Sequence, residues 1–475
     1  MDTTRRTQLA LGAIWLLALA LNLTCAVLRP GGSPDTERYD RIGWNLARGN
    51  GYSASLEPPY EPDVFRAPGY PAFLAAVYRV VGHDLQAVRL FQAFLLSFLV
   101  PLTHFVARAA FDRPTALLSA CLAALYPYFW VYSAAVLSDG LAALLTAGAM
   151  ALLVLSLERR AGWALIAGIG LGVLSLFKPA MLLFPIVAAA IYAVRDRWSP
   201  PVVGVTAGVL RGRGVWMERA VACLVGAMLI VCPWTAHNYR VTGRLLPVAS
   251  GGGLMLYAGA VAGATEYDLN EFHQRVELGD WRILAEQHET DPCRVLALDD
   301  QMKADGLRLI AAHPLGYVRH IVTAAFRVWI SAWVWRDGRW TLSWPHALLS
   351  GGLLVGALAG LIVQRRRWRE VLIPLTLVLY ISLAHAPFIT EARQSLPGRI
   401  GLMMFASALV VDGVRRLRGR TRTVPGPGDE TAPEPPTSPM GASTRSCYTA
   451  RDMPLPSAAR RHAVGALVRE GARGT

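Results

Sequence analysis

The feature that most constrains this chain is a series of apolar runs long enough to cross a bilayer, beginning with "LALGAIWLLALALNLTCAVL" at positions 9–28. Inside lipid the backbone has no water to bond to. Runs of about 17 to 25 apolar residues are therefore stable there only as helices, which satisfy their own N–H and C=O groups. On this basis ten spans are expected, near 8–28, 88–108, 114–133, 140–157, 162–177, 180–195, 220–238, 345–364, 371–388 and 398–414. The basic start and long apolar core of the first run fit an uncleaved span better than a cleaved signal peptide.

Composition agrees. Of 475 residues, 53% are hydrophobic and 17% charged, a balance foreign to soluble globular domains. The net charge of +14 would point to nucleic acid in a soluble chain, but here arginines gather in short segments beside apolar runs. Arg5 and Arg6, Arg108 with Arg113, Arg159 with Arg160, Arg195 with Arg197, the stretch 211–219, "RRRWR" at 365–369 and "RRLRGR" at 415–420 all fall on one side of a ten-span layout. By the positive-inside rule that side is cytoplasmic, with both termini. No nucleic-acid partner is implied. The six cysteines lack metal-ligand spacing, and the sequon at Asn22 lies at membrane depth.

The resulting plan places a first helix at 1–28, an extracytoplasmic loop at 29–87, helices two to seven at 88–239, a second extracytoplasmic loop at 240–344, helices eight to ten at 345–415, and a disordered cytoplasmic tail at 416–475. The tail is rich in Pro, Gly, Ser and Thr. Both outer loops exceed the length of simple connectors. In the first, Tyr39, Ile42, Gly43 and Leu46 share one helical side, with Glu37, Arg38, Arg41 and Arg48 largely on the other, as in a helix lying on a membrane surface. In the second, "YVRHIVTAAFRVWISAWVW" at 317–335 suits a helix in the outer interface, since an eleventh span would put "RRRWR" outside.

The residues able to do chemistry collect at the outer ends of these spans. Asp35 follows the first span and can act either as a proton acceptor or as a helix cap. Asp139 opens the fourth span in "AAVLSDGLAALL", where an acid at membrane depth needs a partner or a role, although capping and the helix dipole also suit it. Lys178 stands in a turn that needs its neighbour Pro179 but no lysine. Arg66, in "FRAPGYP", and Arg240, in "PWTAHNYRVTG", are each compatible with a snorkelling interfacial arginine. Two acids and three cations on one face would suit an anionic headgroup, because Arg and Lys bind phosphate oxygens well. The turn "LAHAPFITEARQSLPGR" adds His385, Glu391 and Arg393 between the last two spans. "GGGLMLYAGA" at 251–260 lacks the Lys-Ser/Thr and the strand of a nucleotide loop.

Taken in order, Asp35, Tyr39, "GNGY", Arg66-Ala67-Pro68-Gly69-Tyr70-Pro71, "LYPYFWVYSAAVLSDGL", "GLGVLSLFKPAMLLFP", "PWTAHNYRVTGRLLPVASGGGLMLYAGA", "HPLGYVRH" and "EARQSLPGR" resemble the polyprenyl-phosphate-sugar-dependent membrane glycosyltransferases of the GT-C fold. The likeness covers about residues 1–415 and is nearest to glycosyltransferase family 39, the dolichyl-phosphate-mannose protein mannosyltransferase type, and its aminoarabinose-transferase relatives. Asp139 and Lys178 replace the usual Glu and Arg with charge retained, whereas Arg393-Gln394-Ser395-Leu396-Pro397 departs from an Arg-Tyr-Arg-x-Pro pattern. The resemblance implies an all-α, GT-C-like polytopic bundle. It also implies an inverting transfer of sugar from a polyprenyl-phosphate donor to a hydroxyl on a glycan, lipid or protein, at the outer face of a bacterial inner membrane. Asp35 would be the general base and Asp139 would orient acceptor or sugar; Arg66, Lys178, Arg240 and Arg393 would stabilise the leaving phosphate, and Tyr39, Tyr70, Asn238 and His385 would line the substrate site. No cofactor is required, although two nearby acids leave room for a divalent cation. The competing reading is a multi-span lipid or glycan transporter, which would carry its ionisable residues near mid-span.

Overall fold

The computed structural model describes residues 3–28, 34–158, 161–198, 215–265, 289–330, 333–336 and 339–421, all within one compact unit that ends at Thr421. The described part is almost wholly helical. From the N-terminus run α1 (Thr3–Leu28), α2 (Pro34–Arg48), α3 (Gly69–Val81), α4 (Leu85–Ser97), α5 (Leu99–Ala110), α6 (Arg113–Leu125), α7 (Pro127–Ala134) and α8 (Ser138–Glu158). They are followed by α9 (Ala161–Phe177), α10 (Phe184–Trp198), α11 (Val215–Thr242), α12 (Gly252–Ala264), α13 (Pro292–Ala312) and α14 (Pro314–Ile330), then α15 (Trp344–Gln364), α16 (Leu372–His385) and α17 (Leu396–Thr421).

Among the described residues five helical segments are long and apolar enough to cross a membrane: Thr4–Leu28, Leu85–Ala110, Ser138–Leu157, Val215–Thr242 and Trp344–Arg367. A sixth is the pair α6 and α7, bent by 46° at Tyr126, whose extended backbone precedes Pro127; the residue before a proline is driven out of helical geometry. Ten spans are expected from the sequence. The shortfall lies in α9 and α16, of 17 and 14 residues, and Pro179–Arg195, apolar but short, and in α17, whose C-terminal end carries Arg415, Arg416, Arg418 and Arg420.

Helices approach closely where glycine permits it. A Cβ added at Gly168 of α9 would lie 2.0 Å from the Cys223 carbonyl oxygen of α11, and one at Gly226 would lie 2.2 Å from that of Leu165. Small residues are the usual means of bringing membrane helices together.

Three expectations are corrected. The apolar side of α2 does not lie on a membrane surface: Tyr39, Ile42 and Gly43 are buried, and a Cβ at Gly43 would meet Leu74 Cβ of α3 at 2.6 Å. Arg38, placed on the polar side, is also buried and bonds Asp63 at 2.6 Å. The 317–335 stretch is not helical throughout. α14 stops at Ile330, and β1 (Trp333–Arg336) pairs antiparallel with β2 (Arg339–Leu342), Trp335 opposite Trp340. Aromatic and β-branched residues favour strand over helix here. Finally, α17 extends through 416–421, and the remainder of the expected tail, 422–475, lies outside the described residues.

Candidate active site

Four separated segments bring charged side chains together. The first is the start of α2, where Asp35 lies in the first helical turn. The second is the turn before α3. Asp63 Oδ1 accepts from the backbone N–H groups of Phe65 (3.0 Å) and Arg66 (2.9 Å), while Tyr52 donates its hydroxyl to the Arg66 carbonyl at 2.9 Å. An aspartate bonding the backbone two and three residues on pre-forms a turn. Gly69 then seats that turn against the end of α9: a Cβ there would lie 2.3 Å from the Phe177 ring and 2.9 Å from the Leu176 carbonyl carbon. The Arg-x-Pro-Gly-Tyr-Pro pattern thus has a packing reason for its glycine. It delivers Arg66 to Asp35, Nη2 to Oδ1 at 2.5 Å, with the guanidinium over the rings of Tyr39 (5.0 Å) and Phe65 (4.8 Å).

The third segment is the turn between α16 and α17. Glu391 and Gln394 form a reciprocal cap around residues 392–395. Arg393 is held by Glu391 through Nε at 2.6 Å and reaches the other oxygen of Asp35 through Nη1, also at 2.6 Å. The fourth is the start of α8 together with the residue that follows α9, where Lys178 Nζ donates to Asp139 Oδ1 at 2.6 Å, both side chains mostly buried. Tyr39 lies 3.4 Å from the Ser138 hydroxyl, which ties the Asp35 group to the start of α8. His385, at the end of α16, is buried, has its Nδ1 2.9 Å from the Ile381 carbonyl and so donates there, and feels the charges of both Lys178 and Asp139.

Burial by itself would raise the Asp35 pKa. Arg66 and Arg393 more than offset it and hold the carboxyl well below the usual carboxylate range. Both arginines are pushed upward: burial opposes their charge, but for Arg393 the acids Glu391 and Asp35 outweigh it, and for Arg66 Asp35 is the main acid. Burial keeps the Tyr39 phenol protonated. Three carboxylates, Asp35, Asp139 and Glu391, therefore face three cations, Arg66, Lys178 and Arg393. One donor is left over, since buried Arg66 Nε has no hydrogen-bond partner among the described residues.

Of the site residues expected from sequence, Asp35, Tyr39, Arg66, Asp139, Lys178, His385 and Arg393 meet here, and three do not. Tyr70 is fully buried beneath Tyr39 and donates to Gln92 Oε1 at 2.9 Å. Gln92 in turn ties down the end of α7 through the carbonyls of Tyr132, Ser133 and Ala135, so this pair is scaffold. Asn238 is buried and donates to the carbonyls of Leu246 and Val248, folding the strand of chain after α11 back onto that helix. Arg240 is exposed, without an ion pair to the cluster among the described residues, because two positions along a helix turn it about 200° from Asn238. Sequence reasoning gave no role to Asp63, whose signal was the Asp-x-Phe-Arg spacing, nor to Glu391 as the support for Arg393. Among the described residues no three His, Cys, Asp or Glu side chains converge as metal ligands.

Residues 65–210 match the family described as dolichyl-phosphate-mannose-protein mannosyltransferase. No curated protein matches the chain. Among solved structures it is similar to the oligosaccharyltransferase AglB from Archaeoglobus fulgidus in complex with an inhibitory peptide and a dolichol-phosphate, at 16% identity over 89% of this chain and 52% of that one, with a TM-score of 0.50. The apo form of the Archaeoglobus fulgidus oligosaccharyltransferase gives 16%, 87%, 52% and 0.51. ArnT from Cupriavidus metallidurans bound to undecaprenyl phosphate gives 15%, 90%, 82% and 0.40. The chain spans about half the length of the archaeal oligosaccharyltransferases it matches. The helices, their order and these similarities together make this chain a multi-span membrane protein with the GT-C fold, in which residues 65–210 match the dolichyl-phosphate-mannose-protein mannosyltransferase family.

Proposed function

We propose that this protein is a glycosyltransferase that moves a sugar from a polyprenyl-phosphate donor to an acceptor hydroxyl at the extracytoplasmic face of a bacterial inner membrane. The observation that carries this reading is the double ion pair of Asp35 with Arg66 and Arg393, next to the Lys178–Asp139 pair and with the orphaned Arg66 Nε–H beside it.

The cluster is charge-balanced as it stands. A donor phosphate adds negative charge, so it draws Arg66 and Arg393 toward its own oxygens, the guanidinium being the cation best matched to a phosphate. Asp35 loses its two counter-ions in the same step. Its carboxylate then becomes a stronger base at the moment the acceptor arrives. The acceptor oxygen attacks the anomeric carbon, the bond from that carbon to the phosphate oxygen breaks with its electron pair passing to the phosphate, and the hydroxyl proton passes to Asp35. The displacement inverts the anomeric centre. Arg66, Arg393 and Lys178 carry the leaving polyprenyl phosphate, a fixed electrostatic contribution of the kind that dominates many enzymes. Asp139, held by Lys178 and close to His385, orients acceptor or sugar.

The test has two parts. Mass spectrometry of envelope glycans and glycoproteins from a deletion strain, against its parent, should reveal one missing sugar and so name both substrates. The purified chain should release polyprenyl phosphate from the corresponding lipid-linked sugar only when the acceptor is present. A full complement of envelope sugars together with accumulation of an untransferred lipid on one side of the membrane would favour transport and overturn the proposal.

A further inference from the structure

A groove of about 480 Å³ lies apart from the charged cluster, between α12, the end of α13 and α14. Its floor is a close helix crossing: a Cβ at Gly316 would lie 2.2 Å from the Gly263 carbonyl oxygen. Arg319, His320, Thr323 and Arg327 line one wall from a single face of α14, His313 and Pro314 close the end, and no acidic residue lines it among the described residues. The first turn of α14 also faces the groove, and the N–H groups of a first turn have no partner within their helix.

His320 supplies the second observation. It is buried, with 6% exposure, and its Nε2 lies 3.1 Å from the Phe388 carbonyl oxygen. A carbonyl only accepts, so Nε2 carries the proton in that contact. Nδ1 is then an acceptor in the neutral ring, and it has no hydrogen-bond partner among the described residues. A buried acceptor left empty costs free energy unless something donates to it. Beside the groove, Leu315, Val318, Val322 and Phe326 form an exposed apolar stripe on the same helix, a surface suited to lipid chains.

We propose that this groove is a second binding site, for an anionic phosphate headgroup that carries a hydroxyl: the phosphate between Arg319, Arg327 and the α14 N-terminus, the hydroxyl donating to His320 Nδ1. The site communicates with the charged cluster through one short segment. Tyr317 donates to the Pro387 carbonyl at 2.8 Å and His320 to that of Phe388, and the same turn continues to Glu391 and Arg393.

The test uses the full chain in detergent, titrated with short-chain phosphatidylglycerol, with phosphatidylmethanol, which keeps the phosphate and loses the hydroxyls, with uncharged diacylglycerol, and with glycerol phosphate as a water-soluble competitor. The glycerol headgroup should bind several-fold more tightly than the methyl one, and diacylglycerol should not compete. Arg319→Gln with Arg327→Gln, both exposed and checked for folding by size-exclusion chromatography, should weaken both phospholipids about tenfold or more. His320→Phe should erase the preference for the hydroxyl while leaving phosphatidylmethanol affinity unchanged. Equal competition by glycerol phosphate identifies a soluble phosphate as the occupant and supports the site; its failure to compete assigns the site to a lipid and supports it equally. Equal affinity for phosphatidylglycerol in the wild type and the double arginine variant, or no preference for the hydroxyl, overturns it. An Arg66→Gln, Arg393→Gln variant with unchanged phospholipid binding separates this site from the transfer site.

Discussion

Asp35 and Arg393 are 358 positions apart in the chain, yet their side chains meet at 2.6 Å, and Arg66 closes on the other carboxylate oxygen at 2.5 Å. The contact joins the start of α2 to the turn between α16 and α17. In the proposed function one donor phosphate would engage both arginines.

Replacing Asp35 by Asn keeps the shape of the side chain and removes its basicity. Transfer from a polyprenyl-phosphate sugar should fall by about 10²-fold or more, with expression and membrane insertion retained. A release assay on purified protein measures the rate, and size-exclusion chromatography in detergent checks the fold. Retained turnover would remove Asp35 from the role of base.

The pH profile of kcat/KM reports ionisations of the free enzyme. Because Arg66 and Arg393 depress the folded-state pKa of Asp35, its carboxylate is charged from neutral pH through the ordinary carboxylate range. Activity should therefore show no acid limb from this residue at pH values where an unpaired aspartate titrates, about 3.9. Arg393→Gln should bring an acid limb up toward that range. The sign for stability is the same: the ion-paired carboxylate stabilises the fold above its unfolded pKa, and that stabilisation is lost as pH falls toward the depressed value. Thermal melts at decreasing pH should register the loss below the ordinary range in the wild type.

Lys178 and Asp139 form a mostly buried pair. Lys178→Met strands the Asp139 charge and should destabilise the protein by about 3–5 kcal/mol. Adding Asp139→Leu should restore much of the loss, since an apolar pair replaces the stranded charge, while transfer stays low in both variants. Differential scanning fluorimetry of the two single variants and the double variant gives the coupling.

Tyr70 and Asn238 act through the scaffold. Tyr70→Phe leaves Gln92 Oε1 without its donor, and Asn238→Leu takes the side-chain donor from the Leu246 carbonyl while the Val248 carbonyl keeps only that of Trp234 Nε1; each should cost about 1–3 kcal/mol. Either variant should lower the melting temperature with KM for the donor unchanged. A raised KM at full stability would return these residues to the substrate site.

The membrane class of this protein and the gathering of its charges at helix ends could be read from the chain, because each depends on neighbours a few residues away: apolar length sets what can sit in lipid. The Asp63 turn that aims Arg66 went unread, although its Asp-x-Phe-Arg spacing is local too. Facing required the tertiary structure. Ile42 and Tyr39 signalled a buried side for α2, but whether protein or lipid covered it depended on α3. Arg240 and Arg393 carry the same side chain near helix ends, yet of the two Arg393 meets Asp35, because the Glu391 cap aims it inward while Arg240 follows the exposed face of α11. The partner of Lys178 and the unpaired nitrogen of His320 were decided likewise, by how helices rotate and cross, and that is set by packing between residues far apart in the chain.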